Sequence, residues 1–247
     1  MLSFEDFNSF CTRSTDFLSN TVVDHIHQGF DVDLKSDGTV VTKYDFLIED
    51  RLRSCISENF PDHAIYGEER EPCNPTSPFK WIIDPIDGTF GFSRGVPLFG
   101  TLIGFLYNNN PIFGFLRLPL IGDACLSGDN RTALLNGSVL PKLTFSGWKS
   151  ALALTTDSQT IVKSSLKDAW EKALNYGCIT RTWGDCYGYF LLCTGRADIM
   201  ADTGLKPHDI LPLLPILKGS GMVVRQYDCT DYSNIIACLP EVAKDLV

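Results

Sequence analysis

The sequence predicts a layered fold of the α+β or α/β class, with helices covering a mixed sheet. Three observations predict it. Phe4, Phe7, Phe10, Phe17 and Leu18 recur at helical spacing near the start. The rest of the first half is rich in short apolar runs of strand length. The second half alternates strand and helix patterns, which favours helices laid over a sheet.

The elements follow in order. Residues 3 to 28 read as one helix. Lys35 to Val41, rich in Asp, Gly and Thr, reads as a mobile loop or hairpin. Leu47, Ile48, Leu52, Cys55 and Ile56 mark a second helix over 43–59. Ala64-Ile65-Tyr66 and Trp81-Ile82-Ile83 are short apolar runs, and the latter reads as a strand. Residues 98–107 and 111–118 read as paired strands across Asn108-Asn109-Asn110. A strand at 150–154 precedes a helix near 158–175. Strand 178–182, helix 184–194, strand 196–201, helix 209–218 and strand 221–227 complete the chain. There is no linker, repeat or low-complexity segment. Residues 1–247 are therefore read as a single unit, with an N-terminal α+β half (1–145) and a C-terminal α/β half (146–247) that is not separable.

Composition narrows the function. A chain of 247 residues buries one substantial core or two small ones. With 44% hydrophobic and 21% charged residues it is an ordinary soluble globular protein. A net charge of −9 argues against broad nucleic-acid binding, which needs a basic face. It leaves an anionic substrate open, because bound cations reverse the local field. Met1-Leu2-Ser3-Phe4-Glu5-Asp6 is no secretory signal, and the apolar run from Leu98 to Tyr107 is too short to span a membrane. Nine cysteines without a Cys-x-x-Cys spacing read as free thiols in a reducing cytoplasm. His25 and His27, two apart, read as surface residues rather than metal ligands.

Chemistry concentrates in Trp81-Ile82-Ile83-Asp84-Pro85-Ile86-Asp87-Gly88-Thr89. Two carboxylates follow the strand, Pro85 stiffens the turn between them, and Gly88-Thr89 offers a backbone free to approach an anion. Hard divalent cations take carboxylate and carbonyl oxygens, and a phosphate ester can share those cations. The plainer reading is an acidic turn, since Asp and Gly favour turns for local reasons.

Other segments favour the chemical reading. Gly67-Glu68-Glu69 follows Ala64-Ile65-Tyr66, Thr42-Lys43-Tyr44-Asp45 follows Lys35-Ser36-Asp37-Gly38-Thr39, and Pro207-His208-Asp209 opens an apolar run. Together with residues 81–89 these resemble the inositol monophosphatase family of magnesium-dependent phosphate monoesterases, along nearly the whole chain. Arg94-Gly95-Val96-Pro97-Leu98-Phe99-Gly100-Thr101-Leu102-Ile103 and Arg181-Thr182-Trp183-Gly184-Asp185-Cys186-Tyr187-Gly188-Tyr189 look like its histidinol-phosphate phosphatase branch.

The resemblance implies an αβαβα layered sugar-phosphatase fold with the site between the halves. It implies one metal on Glu68, Asp84 and the carbonyl of Ile86, a second among Asp84, Asp87 and Asp209, and a third, weaker site involving Glu68, giving two to three Mg2+. Asp45 and Thr89 would orient or deprotonate the attacking water, with Glu68 beside them. Ile86, Asp87, Gly88 and Thr89 would meet the phosphate, and Arg181, Asp185, Asp202 and Asp209 the rest of the substrate. The implied activity is hydrolysis of a small phosphorylated substrate, best matched by L-histidinol phosphate. Inositol monophosphatase, nucleotide 3′-phosphatase and a weakly catalytic phosphate-binding regulator are the alternatives. A homodimer is the family's implied assembly, with no nucleic-acid or membrane partner.

Each residue also has a plainer role. Thr42-x-x-Asp45 is a capping box, and Thr89 can be an N-cap hydroxyl. Asp209 can cap the helix that follows, and Asp185 can be a helix-start acid. Glu69 reads as a solvated acid or one behind the metal ligands. Lys35 either holds its loop against an acid or is exposed. Trp183 reads as core. His208 departs from the tryptophan usual in the family, as do Val40 from proline and Tyr44 from a small residue.

Overall fold

The computed structural model describes residues 2–28, 32–227 and 231–246, with the backbone alone for 24–28. His25 and His27, read above as surface residues, lie outside the described side chains. In the first half α1 (Phe4–Thr15) and α2 (Leu18–Gln28) precede a hairpin of β1 (Val32–Leu34) and β2 (Val40–Thr42). Helix α3 (Lys43–Asn59), β3 (Ala64–Gly67), β4 (Phe79–Asp87), the single turn α4 (Thr89–Phe92), β5 (Gly100–Tyr107), β6 (Asn110–Leu118), β7 (Ala124–Gly128), β8 (Ala133–Leu135) and β9 (Ser138–Val139) follow. The strands β3 to β9 form a seven-stranded sheet in sequence order, parallel at β3–β4 and antiparallel beyond.

The second half runs β10 (Leu152–Leu154), α5 (Ser158–Ile161), α6 (Lys167–Asn175), β11 (Ile179–Arg181), α7 (Asp185–Cys193), β12 (Ile199–Asp202), α8 (Pro207–Ile210), α9 (Leu213–Gly219), β13 (Val223–Gln226), β14 (Ile235–Cys238) and α10 (Pro240–Asp245). Its sheet has the order β11-β10-β12-β14-β13. The connection from β10 to β11 moves one way along the sheet, and that from β11 to β12 moves back across β10. Right-handed crossovers in opposite directions place α6 and α7 on opposite faces. The result is the αβαβα layering.

Strand alternation explains how the first sheet serves two cores. Phe113 and Phe115 on β6 join Phe7, Phe10 and Trp81 under α1 and α3, whereas Leu116 and Leu118 join the core of the second half. Trp81 lies 5.2 Å from Phe10 and 5.0 Å from Phe105, ring centre to ring centre. On the opposite face Gly104, Gly114 and Gly128 sit side by side across β5, β6 and β7. A Cβ at Gly114 would stand 1.8 Å from the Pro212 carbonyl oxygen, and one at Gly128 2.5 Å from the Ile216 Cα. This glycine row lets the backbone of α9 lie directly on the sheet.

Three predicted helices are broken. The helix over 3–28 turns at Asp16-Phe17. Buried Arg117 reaches Thr12 O, Thr15 Oγ1 and Asp16 Oδ1 there, so the chain folds around a guanidinium. The helix over 158–175 breaks where Ser164 Oγ donates to Ile161 O and accepts from Leu166 N. The helix over 209–218 becomes α8 and α9 with Pro212 capping the second. Strands β7, β8, β9 and β14 and helix α10 were not anticipated. Lys35 to Val41 is the hairpin of the two alternatives. Asn108 and Asn109, both at positive φ (48° and 65°), make the two-residue turn between β5 and β6. Trp183, read as core, is 42% exposed at the edge beyond β11, a strand whose Ile179 and Arg181 are exposed.

Candidate active site

The two aspartates of residues 81–89 face one cleft because β4 is bulged. Three apart on a regular strand, Asp84 and Asp87 would point to opposite faces. Here Asp84 pairs with Leu102 but Asp87 with Gly100, so β4 carries one extra residue over that interval. Pro85, which has no N–H to lose, sits in the bulge, and its carbonyl accepts from Thr101 Oγ1 at 2.8 Å. The parallel pairing of β3 with β4 ends at Gly67 opposite Ile83, so Glu68 emerges beside Asp84. Gly67 is required by space: a Cβ there would lie 1.9 Å from Glu49 Oε1. Buried Glu49 in turn accepts from Glu69 N at 2.7 Å and from Arg53 Nη1 at 3.1 Å, which fixes the strand end carrying Glu68. Helix α8, packed on β4 and β5, delivers Asp209, whose Oδ2 accepts from Lys206 N at 2.7 Å.

Two sets of donor atoms converge. Oxygens of Asp84, Asp87 and Asp209 lie within 4.8 Å of one another, as do donor atoms of Glu68, Asp84 and His208. Asp84 is 2% exposed, and its Oδ1 is buried with no hydrogen-bond partner. Burial first, then the charges of Glu68, Asp87 and Asp209, push the Asp84 carboxyl well above the usual range. Burial, then Asp185 and Asp209, does the same to Asp87. Carboxylates stacked this closely without a counter-charge are costly, and a divalent cation removes both penalties. Hard oxygens, crowding and an orphaned buried oxygen fit magnesium.

Lys35 supplies part of the balancing charge. Its Nζ lies 2.7 Å from Glu68 Oε1 and 2.6 Å from Glu69 Oε1, so the β1–β2 hairpin is held against the cluster. Glu69 is thus neither solvated nor a direct member of either donor set. It is a buried acid, pushed up to about 7 mainly by burial, and it anchors the hairpin. Asp45 is fully buried, makes the capping box read from its motif, and turns its other oxygen toward Thr89. Its Oδ2 accepts from Thr42 N at 2.8 Å and from Thr42 Oγ1 at 2.7 Å, closing the capping box at the start of α3. Its Oδ1 lies 3.2 Å from Thr89 Oγ1, which is also 2.7 Å from Ile86 O. Burial raises the Asp45 carboxyl, and the Thr42 and Thr89 hydrogen bonds oppose that rise.

The cleft, about 290 Å³, is lined from the first half by Glu68, Asp84, Ile86, Asp87, Gly88 and Thr89. From the second half come Thr156, Asp185, Tyr189, Asp202 and Asp209. Gly88 adopts φ +95°, and a Cβ there would come within 3.3 Å of Asp185 Oδ2. Asp185, itself at φ +49°, opens α7 with its N–H donating to Thr156 Oγ1 at 2.9 Å. Asp202, at the end of β12, accepts from Thr156 Oγ1 at 3.2 Å and from Tyr189 OH at 3.4 Å. Burial raises Asp185 to about 6 and Asp202 to about 7, with Asp209 and Asp185 respectively adding to the effect. Of the residues predicted for the substrate, Arg181 does not line this cleft. It is exposed on edge strand β11, with Nη1 donating to Thr180 O at 2.7 Å. Thr156 and Tyr189 had no assigned role in the sequence. They are isolated hydroxyls whose only signal is the strand end or helix that carries them.

A family model described as the inositol monophosphatase family matches residues 13–245. This chain belongs to the inositol monophosphatase family. Its members are phosphatases, hydrolases of phosphate monoesters that depend on metal ions. The bifunctional phosphatase IMPL2, chloroplastic, of Arabidopsis thaliana is 35% identical over 82% of this chain and 59% of its own length, so the chain spans less than two thirds of that relative. A histidinol-phosphatase of Chlorobaculum parvum is 30% identical over 76% of this chain and 72% of its own. Among solved structures, an inositol monophosphatase from Zymomonas mobilis superposes with a TM-score of 0.82 at 28% identity, covering 100% of this chain and 98% of that one. The family fold therefore coincides with the layering described above.

Proposed function

We propose that this protein is a magnesium-dependent phosphate monoesterase that cleaves L-histidinol phosphate with water to L-histidinol and phosphate. The observation that carries the substrate reading is the pair Asp185 and Asp202 on the second-half side of the cleft that holds Asp84 and Asp87. Histidinol phosphate presents an ammonium and an imidazole, and buried acids complement a cation. The histidinol-phosphatase among the relatives supports the same reading. The hydroxyls of Thr156, Thr160, Thr203 and Tyr189 on the cleft wall favour a second reading, a neutral polyol phosphate such as inositol 1-phosphate.

Glu68, Asp84, Asp87, Asp209 and the Ile86 carbonyl would hold two to three magnesium ions. When bound, such ions neutralise phosphoryl oxygens and lower the pKa of water. Thr89 and Asp45 would then move the proton. If the Thr89 hydroxyl donates to Asp45 Oδ1, its lone pairs are free to accept from a water in the cleft. Eight described cysteines are free thiols, which suits a reducing compartment such as the cytoplasm. Among the described residues no helix is long and apolar enough to cross a membrane. A homodimer is the expected assembly, and light scattering of the purified chain tests it.

Kinetics of Asp185→Asn on two substrates test the substrate reading. Loss of one charge-assisted contact of about 1.5–3 kcal/mol should raise KM for histidinol phosphate about ten- to a hundredfold. Inositol 1-phosphate should be scarcely affected. Equal losses on both would mean that Asp185 organises the cleft instead of reading the ligand.

A further inference from the structure

His208 stands beside Asp209 in place of the tryptophan expected from the resemblance, and its surroundings are those of a ligand. Its side chain is largely buried. Its Nε2 lies 3.7 Å from Glu68 Oε1 and 3.3 Å from Asp209 Oδ1. It is the only nitrogen donor in the two donor sets found among the described residues, grouped with Glu68 and Asp84 within 4.8 Å. Asp84 supplies the independent sign that the cluster takes a cation: its Oδ1 is buried and unpartnered, and the residue belongs to both sets.

We propose that His208 is a metal ligand, so that one position, on Glu68, Asp84 and His208, is a mixed oxygen–nitrogen site. The other, on Asp84, Asp87 and Asp209, offers oxygen only. The inference rests on the metal-dependent reading above and refines it. Carboxylate oxygens suit magnesium, whereas imidazole favours the more borderline first-row ions. The mixed position therefore prefers Mn2+ or Zn2+ over Mg2+, and the two positions load with different ions. Donors about 2.0–2.2 Å from one ion stand at most about 4.4 Å apart, so the group need close by only a few tenths of an ångström. Lys35 Nζ shares Glu68 Oε1 with this position, so the ion exchanges with an ammonium already in place.

The test is Mn2+ alone, titrated into metal-free full-length protein and followed by electron spin echo envelope modulation. Bound Mn2+ should show 14N modulation of an imidazole. Labelling the histidines of the wild-type protein with 15N should replace that pattern, which needs no variant to fold. In His208→Gln and His208→Phe the modulation should vanish, and the Mn2+ Kd should rise about ten- to a hundredfold, the range seen when metal-site partners are lost. The Mg2+ Kd should stay within about twofold in both variants. Mn2+ that binds tightly with no histidine modulation would overturn the proposal, leaving His208 as a neighbour of Glu68 and Asp209 and the metal-dependent reading intact. Modulation that persists in both variants would overturn it too, by placing the ion on another histidine. No binding of Mn2+ or Mg2+ at all would sink the metal-dependent reading itself.

Discussion

Asp84 and Asp45 are both buried acids near the same cleft, but their partners differ, and so should the effects of neutralising them. Asp84 belongs to both donor sets and leaves an oxygen unsatisfied. Asp84→Asn is expected to weaken metal binding and abolish turnover together. Asp45 is bound to Thr42 and Thr89 and belongs to neither set. An asparagine there can still accept from Thr42 N, so the helix cap persists. Asp45→Asn is expected to keep most of the metal affinity while kcat falls about 10²–10⁴-fold, the usual loss of a general base. Calorimetric metal titration beside steady-state kinetics separates the two. A wild-type rate in Asp45→Asn would reduce Asp45 to its capping role. Asp84 and Asp87 were legible in the sequence as a local acidic motif, but that both face one cleft was not, because it depends on the bulge in β4. Thr156 and Tyr189 were not, because a single hydroxyl gains its meaning only from Asp202, 46 and 13 positions away.

At the scale of elements, the site depends on how closely α8 and α9 lie on the first sheet. The glycine row of β5, β6 and β7 sets that distance. Gly114→Ala would place a methyl 1.8 Å from the Pro212 carbonyl oxygen, so the start of α9 must move, and Asp209 lies three residues before Pro212. Overpacking of this kind costs about 1–3 kcal/mol. For a chain of this size that is a fall in Tm of about 2–12 °C. Calorimetry and metal titration of the variant check it: the melt should drop and the metal affinity weaken with it. An unchanged melt would mean that α9 has room the structure does not show. Element existence was largely readable from periodicity, since Phe113 and Phe115 alternate against Leu116 and Leu118. The breaks were not readable. Arg117 bends the first helix from about a hundred residues away, and no local pattern carries that contact. The β4 bulge is equally silent, because it is defined by the register of β5. Trp183 fell on the wrong side for the same reason: its exposure follows from β11 being an edge strand.

For the molecule as a whole, Leu102, Leu116 and Leu118 of the first sheet share a core with Tyr189, Leu213 and Ile236 of the second half. The two halves are therefore expected to unfold in one cooperative transition. The acidic cleft adds a pH dependence to that transition. Asp185 at about 6, Asp202 at about 7 and Glu69 at about 7 lie above the unfolded values of roughly 4. The folded state thus binds more protons than the unfolded chain between about pH 4 and 7, and stability falls as pH rises through that window. His63, held down by burial, works in the opposite direction near the top of the window. Metal-free protein should melt lower at pH 8 than at pH 5.5 by scanning calorimetry, and magnesium should restore the melt at pH 8 by binding the folded state alone. A metal-free melt that rises to pH 8 and ignores magnesium would contradict the cluster's role. The most direct measurement of the central claim is phosphate release from histidinol phosphate and inositol 1-phosphate, with magnesium and after exhaustive chelation. The account predicts release only with the metal, and a kcat/KM for histidinol phosphate at least about tenfold higher, the worth of one charge-assisted contact. Full activity after chelation, or a preference for inositol 1-phosphate, would contradict it.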